Sequence, residues 1–303
     1  EKVRLIAEAW DLGSYQLGRN FPGMSWLQWN GRYRDEVRQF VKGDNGMVGW
    51  LKLRLEGSDD LFPQELELGY RPYQSINYIC SHDGFNLADL VSYNNKTNAA
   101  GGTDSNYSWN CGHEGDGDVP AGVAELRRRQ VKNCCALLML SNGTPMFCMG
   151  DEVMHTQRGH NNPYDQDNEI TWFDWDLRQT NADMFRFFKE MIAFRKAHPS
   201  IARSVYWKDD VSWYGVRGGP DLSWESHTLA YCLHGGSMKD ADIYVMINAF
   251  WEPLEFDIQE PGPWSRAVDT SLPSPGDIGD PEPLPASARS LGVAPRSVVV
   301  LVK

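Results

Sequence analysis

Short apolar runs that each end at an acidic residue constrain the fold of this chain more than any other feature. Val3-Arg4-Leu5-Ile6-Ala7 precedes Glu8, the alternating run 75–81 leads to Asp83, and Pro145-Met146-Phe147-Cys148-Met149 leads to Asp151-Glu152. Runs of this length bounded by turn residues predict strands. Between the last two, Val131, Cys134, Cys135 and Leu138 recur at helical spacing until Asn142-Gly143 and Pro145 stop the pattern, which makes one strand–helix–strand unit. A second helix gathers Met184, Phe187, Phe188, Met191, Ile192 and Arg195 on one side. It opens near Thr180 and Asp183 as a capping box and stops before Pro199. Residues 1–203 therefore predict an α/β region with a parallel sheet, closed or covered by helices.

From 204 the pattern changes to short alternating segments at 211–216, 228–233, 243–249, 254–258, 267–270 and 298–302, which predict an all-β domain over 204–303, a sandwich. The stretch 271–285 holds five prolines and reads as a loop inside that domain, because a strand follows it. The length of 303 residues suits two domains at roughly 100–200 residues each.

The net charge of −12 repels nucleic acid and anionic membranes, so neither is an expected partner, and no apolar run is long enough to span a bilayer. Twelve each of Trp, Tyr and Phe supply flat rings that either stack on sugar faces or fill a core. Cys80, Cys111, Cys134, Cys135, Cys148 and Cys232 show no metal-binding spacing and fit a reduced, intracellular protein better than a disulfide framework. The three-residue sequons at Asn95, Asn106 and Asn142 arise often by chance and carry no weight.

Carboxylates at the ends of successive parallel strands converge on one pocket if the strands belong to a (β/α)8 barrel; each taken singly could instead cap a helix. Their neighbours favour the pocket. Leu5-Ile6-Ala7-Glu8-Ala9-Trp10-Asp11, Tyr15-Gln16, Phe21-Pro22, Trp29-Asn30-Gly31-Arg32-Tyr33-Arg34-Asp35, Ser81-His82-Asp83-Gly84-Phe85, Tyr107-Ser108-Trp109-Asn110-Cys111-Gly112, Gly150-Asp151-Glu152, the stretch 161–169 and Trp172-Phe173-Asp174-Trp175 together resemble isoamylase-type glycogen- and starch-debranching enzymes of the α-amylase superfamily. The resemblance covers nearly all of residues 1–200. Ala9 and Asp165 stand where the family usually has Pro and Cys, and the second adds a carboxylate beside the expected substrate cleft.

The resemblance implies the C-terminal half of a (β/α)8 TIM-type barrel followed by the β-sandwich. It also implies retaining hydrolysis of α-1,6 branch linkages, with a branched α-glucan as substrate and neither cofactor nor metal in the mechanism. It makes Glu8 the general acid/base, Asp83 the carboxylate that stabilises the oxocarbenium-like transition state, and His82 a hydroxyl-binding imidazole. Trp10 and Tyr164 either stack on glucosyl rings or wall the cleft, and Asp165 is expected to contact substrate. Glu114, Asp116 and Asp118 in the loop 101–122 could hold a cation or form a solvated acidic face.

In this superfamily the nucleophile is an Asp on the strand before the acid/base strand, two residues after an Arg. No such pair occurs at a strand end here, and 200 residues suffice for about four of the eight strands of a barrel that takes about 250. The expectation is a piece of a longer polypeptide, or a chain paired with a separate N-terminal half that brings the nucleophile, and inactive alone. The alternative is a catalytically silent glucan-binding or regulatory subunit. A cytoplasmic location, or a plastid one in a plant or alga, goes with the resemblance.

Overall fold

In the computed structural model, which describes residues 3–11, 13–21, 25–64 and 69–303, four short strands lie side by side in the order in which the chain makes them. β1 (Leu5–Ala7), β2 (Trp26–Trp29), β3 (Ser75–Tyr78) and β4 (Thr144–Met146) form a parallel sheet, with Leu5 opposite Trp26, Gln28 opposite Ser75 and Ile76 opposite Thr144. Parallel neighbours need long crossovers. Helices α1 (Gly31–Lys42) and α2 (Val48–Glu56) lie between β2 and β3, and α3 (Leu87–Leu90) and α4 (Ala121–Leu140) between β3 and β4.

Two features start and stop α1. The Asn30 side chain accepts from the Tyr33 amide at 2.9 Å while its own amide donates to Ser58 Oγ and Ser75 Oγ, which ties the helix start to the neighbouring strand. Gly43, at φ 96°, ends the helix in the left-handed conformation that favours glycine. The second half of α4 is buried on every side because it lies between the other helices and the β region. Even Lys132 is enclosed, its ammonium 2.6 Å from the buried Asp277 carboxylate and over the Phe187 ring.

After β4 the chain forms α5 (Leu177–Thr180) and α6 (Ala182–Ala197), and α6 buries Met184, Phe187, Phe188, Met191 and Arg195 as its spacing predicts. The capping box expected at Thr180 and Asp183 does not form. Thr180 Oγ1 donates to the Asp176 carbonyl within α5, and Arg128 instead bridges Asn181 and Asp183 at the helix start.

The remaining strands are β5 (Val211–Tyr214), β6 (Thr228–Leu233), β7 (Ile243–Asn248), β8 (Leu254–Asp257), β9 (Ser265–Asp269), β10 (Ile278–Pro283), β11 (Ser290–Val293) and β12 (Ser297–Val302). Six form one antiparallel sheet in the order β10-β9-β12-β7-β6-β5, and β8 pairs with β11. The proline-rich stretch 271–285 is thus not wholly a loop, since β10 runs through it. Proline lacks a ladder donor and is tolerated on an edge strand, and β10 is the sheet's edge, joined to β9 through an irregular register.

Alternation decides where the core sits. Leu229, Tyr231, Leu233, Ile243, Val245, Ile247, Val298 and Val300 join one buried cluster with Val131, Leu138, Phe187 and Leu51 of the helices. Their neighbours Ala230, Cys232, Tyr244, Met246, Val299 and Leu301 face the opposite way onto Phe256, Trp264 and Val293. One face of the large sheet therefore rests on the helices, and the α/β and β regions share a core across residue 204. The parallel sheet, by contrast, leaves apolar groups open at its ends. Val3, Leu5 and Ile6 are exposed along β1, and a groove of about 430 Å³ beside β4 is lined by Met139, Pro145, Phe147, Ile192 and Pro199.

Tyr231 is the wedge in the shared core: fully buried, its ring lies against Trp207 and Trp213. Tyr231→Ala is expected to lower stability by about 3–5 kcal/mol, the cost of deleting a large buried ring. In urea, helical circular dichroism and tryptophan fluorescence should shift together as a single transition. Two separated transitions would contradict the shared core.

Candidate active site

Parallel strands send their C-terminal ends to one rim, and that rim gathers the acidic residues. Glu8 follows β1, and the segment after β3 carries His82 and Asp83. The His82 Nε2 lies 3.9 Å from Glu8 Oε1 and 3.6 Å from Asp83 Oδ2, so the imidazole sits between the two carboxylates. The three side chains are 40, 56 and 58 % exposed, which makes this an open site that a ligand can reach. The Trp29 ring lies 5.5 Å from the His82 ring and limits its orientation.

Trp10 stacks on Tyr15 at 5.7 Å and 14°, and the two residues form an isolated bridge that closes the turn after Glu8. This pair packs on the start of α1. A Cβ at Gly31 would lie 2.8 Å from the Tyr15 hydroxyl oxygen, so the position needs glycine for close approach. Burial, reinforced by Asp35, raises the Tyr15 hydroxyl to about 12, so it stays neutral at physiological pH.

Tyr164 and Asp165 lie on an exposed loop, Tyr164 the more open at 86 % exposure, and Asp165 accepts from Gln166. Among the described residues neither bonds to Glu8, His82 or Asp83. Of the motif residues quoted above, Pro22 falls outside the described residues. The acidic loop does not converge on a cation site. Glu114 accepts from the Asn94 and Asn95 amides, and Asp116 accepts from the Tyr93 and Thr156 hydroxyls. Asn106 and Asn142 are buried, which removes two of the three sequons from any surface.

Asp151 is the strand-end acid that takes another part. Fully enclosed, it accepts from the Leu87 amide with one oxygen and the Cys148 amide with the other, fixing the start of α3 to the turn after β4. The sequence reading quoted Arg34 only as part of a motif and passed over Arg38; the two project four residues apart from α1 and line a cavity of about 330 Å³ with Asp83, Gly84, Thr103 and Asn162. Two arginines at this spacing just after a strand end were the available signal.

No protein-family model matches the chain. It is 42 % identical over 315 residues to isoamylase 3, chloroplastic, of Oryza sativa subsp. japonica, covering 99 % of this chain and 39 % of that protein. It is 37 % identical over 339 residues to the glycogen operon protein GlgX homolog of Mycobacterium bovis, covering 100 % and 46 %. Among solved structures, a pullulanase from Bacillus acidopullulyticus shares the fold with a TM-score of 0.74 at 20 % identity, over 99 % of this chain and 34 % of that one. The chain thus spans less than half the length of these proteins.

Burial raises Asp89 and Asp151 to about 7, against the donors that favour their charged forms, Thr156 and the Gly159 amide for Asp89 and the Leu87 and Cys148 amides for Asp151. Both folded values lie above the unfolded one, so the folded chain holds more protons between about pH 4 and 7 and their contribution to stability falls as pH rises through that window. Urea unfolding of Asp89→Asn against the parent across that range should show a flatter decline; parallel curves would contradict the raised value.

Over nearly its whole length the chain is thus of the isoamylase type in sequence, spanning part of those proteins, and it shares its fold with the pullulanase.

Proposed function

We propose that the protein hydrolyses α-1,6 branch linkages of glycogen- or starch-like glucans with retention, in the cytosol or, in a plant or alga, the plastid. The observation that carries the reading is the convergence of Glu8, His82 and Asp83 at one strand rim in a chain of this family. Glu8 protonates the glycosidic oxygen as its bond to the anomeric carbon breaks, while the nucleophile bonds to that carbon. The Glu8 carboxylate then takes a proton from the water that displaces the nucleophile. Asp83 opposes the positive charge that develops on the ring, and His82 donates to a sugar hydroxyl.

The Trp10 ring, held by Tyr15, offers an apolar face to a glucosyl ring, and Tyr164 and Asp165 extend the contact surface. The nucleophilic Asp belongs, in this proposal, to an N-terminal half of the same enzyme, on the same or a separate chain, which completes a (β/α)8 barrel. Residues 1–203 are then its C-terminal half and 204–303 a β-sandwich domain. The exposed apolar edge of β1, the groove beside β4 and the coverage of under half of the relatives support this arrangement.

The test measures new reducing ends from glycogen with the full-length protein and with residues 1–303 alone. The full-length protein is expected to release linear chains, and Glu8→Gln to slow it by roughly 10²–10⁴-fold. Release by residues 1–303 alone would overturn the need for a second half. Glucan binding by the full-length protein without hydrolysis would instead favour a silent binding subunit.

A further inference from the structure

We propose that Arg38 is the positioning residue that holds His82 and Asp83 in register with Glu8, an inference that rests on the function just proposed. Arg38 is 3 % exposed as a residue. Its Nε donates to the Ile79 carbonyl at 2.8 Å and its Nη2 to the Phe85 carbonyl at 3.0 Å, so one side chain clasps both ends of the segment that carries His82 and Asp83. The same Nη2 lies 3.6 Å from Cys80 Sγ. Nη1 donates to the Asn106 carbonyl at 3.0 Å, and Asn106 Oδ1 in turn accepts from the Phe85 amide, which locks the far end of the segment from a second direction.

The segment has little to hold it from within. Its one internal side-chain bond runs from Ser81 Oγ to the Asp83 carbonyl at 3.4 Å, and Gly84 adopts a left-handed backbone at φ 80°. A Cβ at Gly84 would stand 3.2 Å from Asn106 Oδ1 and 3.7 Å from Arg38 Nη1, so the clasp is closed tightly around the turn. Among the described residues no carboxylate lies within ion-pair distance of the guanidinium, and every acceptor it meets is neutral. Burying an unpaired cation is costly, and apolar packing alone does not call for one here. A rigid planar fork that reaches several carbonyls at once does call for arginine, and a flexible ammonium cannot reproduce that span.

The test compares Arg38→Gln and Arg38→Lys with the parent in the full-length protein, by amide hydrogen exchange and by steady-state hydrolysis of glycogen. In both variants exchange is expected to quicken at least about tenfold in residues 80–85 while α4 and the six-stranded sheet keep their protection. The kcat should fall on the order of 100-fold with KM changed little, since displacing reacting groups by an ångström costs about that much. Unchanged exchange in 80–85, a loss of protection spread evenly over the molecule, or an effect on KM alone would overturn the proposal. Quickened exchange in the two variants of a parent that itself hydrolyses no glucan would overturn the proposed function and leave Arg38 as the clasp of that segment.

Discussion

The in-order, parallel pairing of β1 to β4 is the constraint on which the rest depends. Because each strand hydrogen-bonds to the next one in sequence and runs the same way, every strand ends at the same rim, and whatever follows a strand is delivered there. Glu8, the cap Asn30, the His82-Asp83 pair and Asp151 are four such deliveries. Two of them meet around one imidazole, and the other two fix helices, so the same rim carries both the exposed chemistry and the joints that hold it.

Much of this could be read from the residues because the signals were local. The runs that became β1, β3, β4, β6, β7 and β12 are apolar enough to stand out, and the spacing in α4 and α6 follows one helical face. β2 escaped notice because Trp-Leu-Gln-Trp is short and without clear alternation, and its pairing on both sides is a tertiary fact. β10 escaped because its prolines are tolerable only at a sheet edge, and edge position is not written locally. In the site, the motif residues Glu8, His82 and Asp83 were legible. The contacts of Arg38 to carbonyls 41 to 68 residues away were not, since nothing in a sequence window announces a side chain that reaches across the fold.

The buried carboxylates divide along similar lines. Asp89 and Asp151 face protein donors in dry surroundings, and their work is to hold loops: Asp89 accepts from Thr156, Gln157 and Gly159, and Asp151 joins the β4 turn to α3. Glu8 and Asp83 stand open at the rim, with oxygen atoms left for a ligand. These four acidic residues thus differ in what they can do because of what covers them.

β12 has a further consequence. It follows every other described strand in sequence yet lies in the interior of the six-stranded sheet, with β9 on one side and β7 on the other. Until it arrives, β9 and β10 have no path to the β5-β6-β7 meander, and the apolar face that rests on the helices is split in two. During synthesis the nascent chain therefore carries that divided surface against the earlier-made helices until residues 297–302 join the two parts.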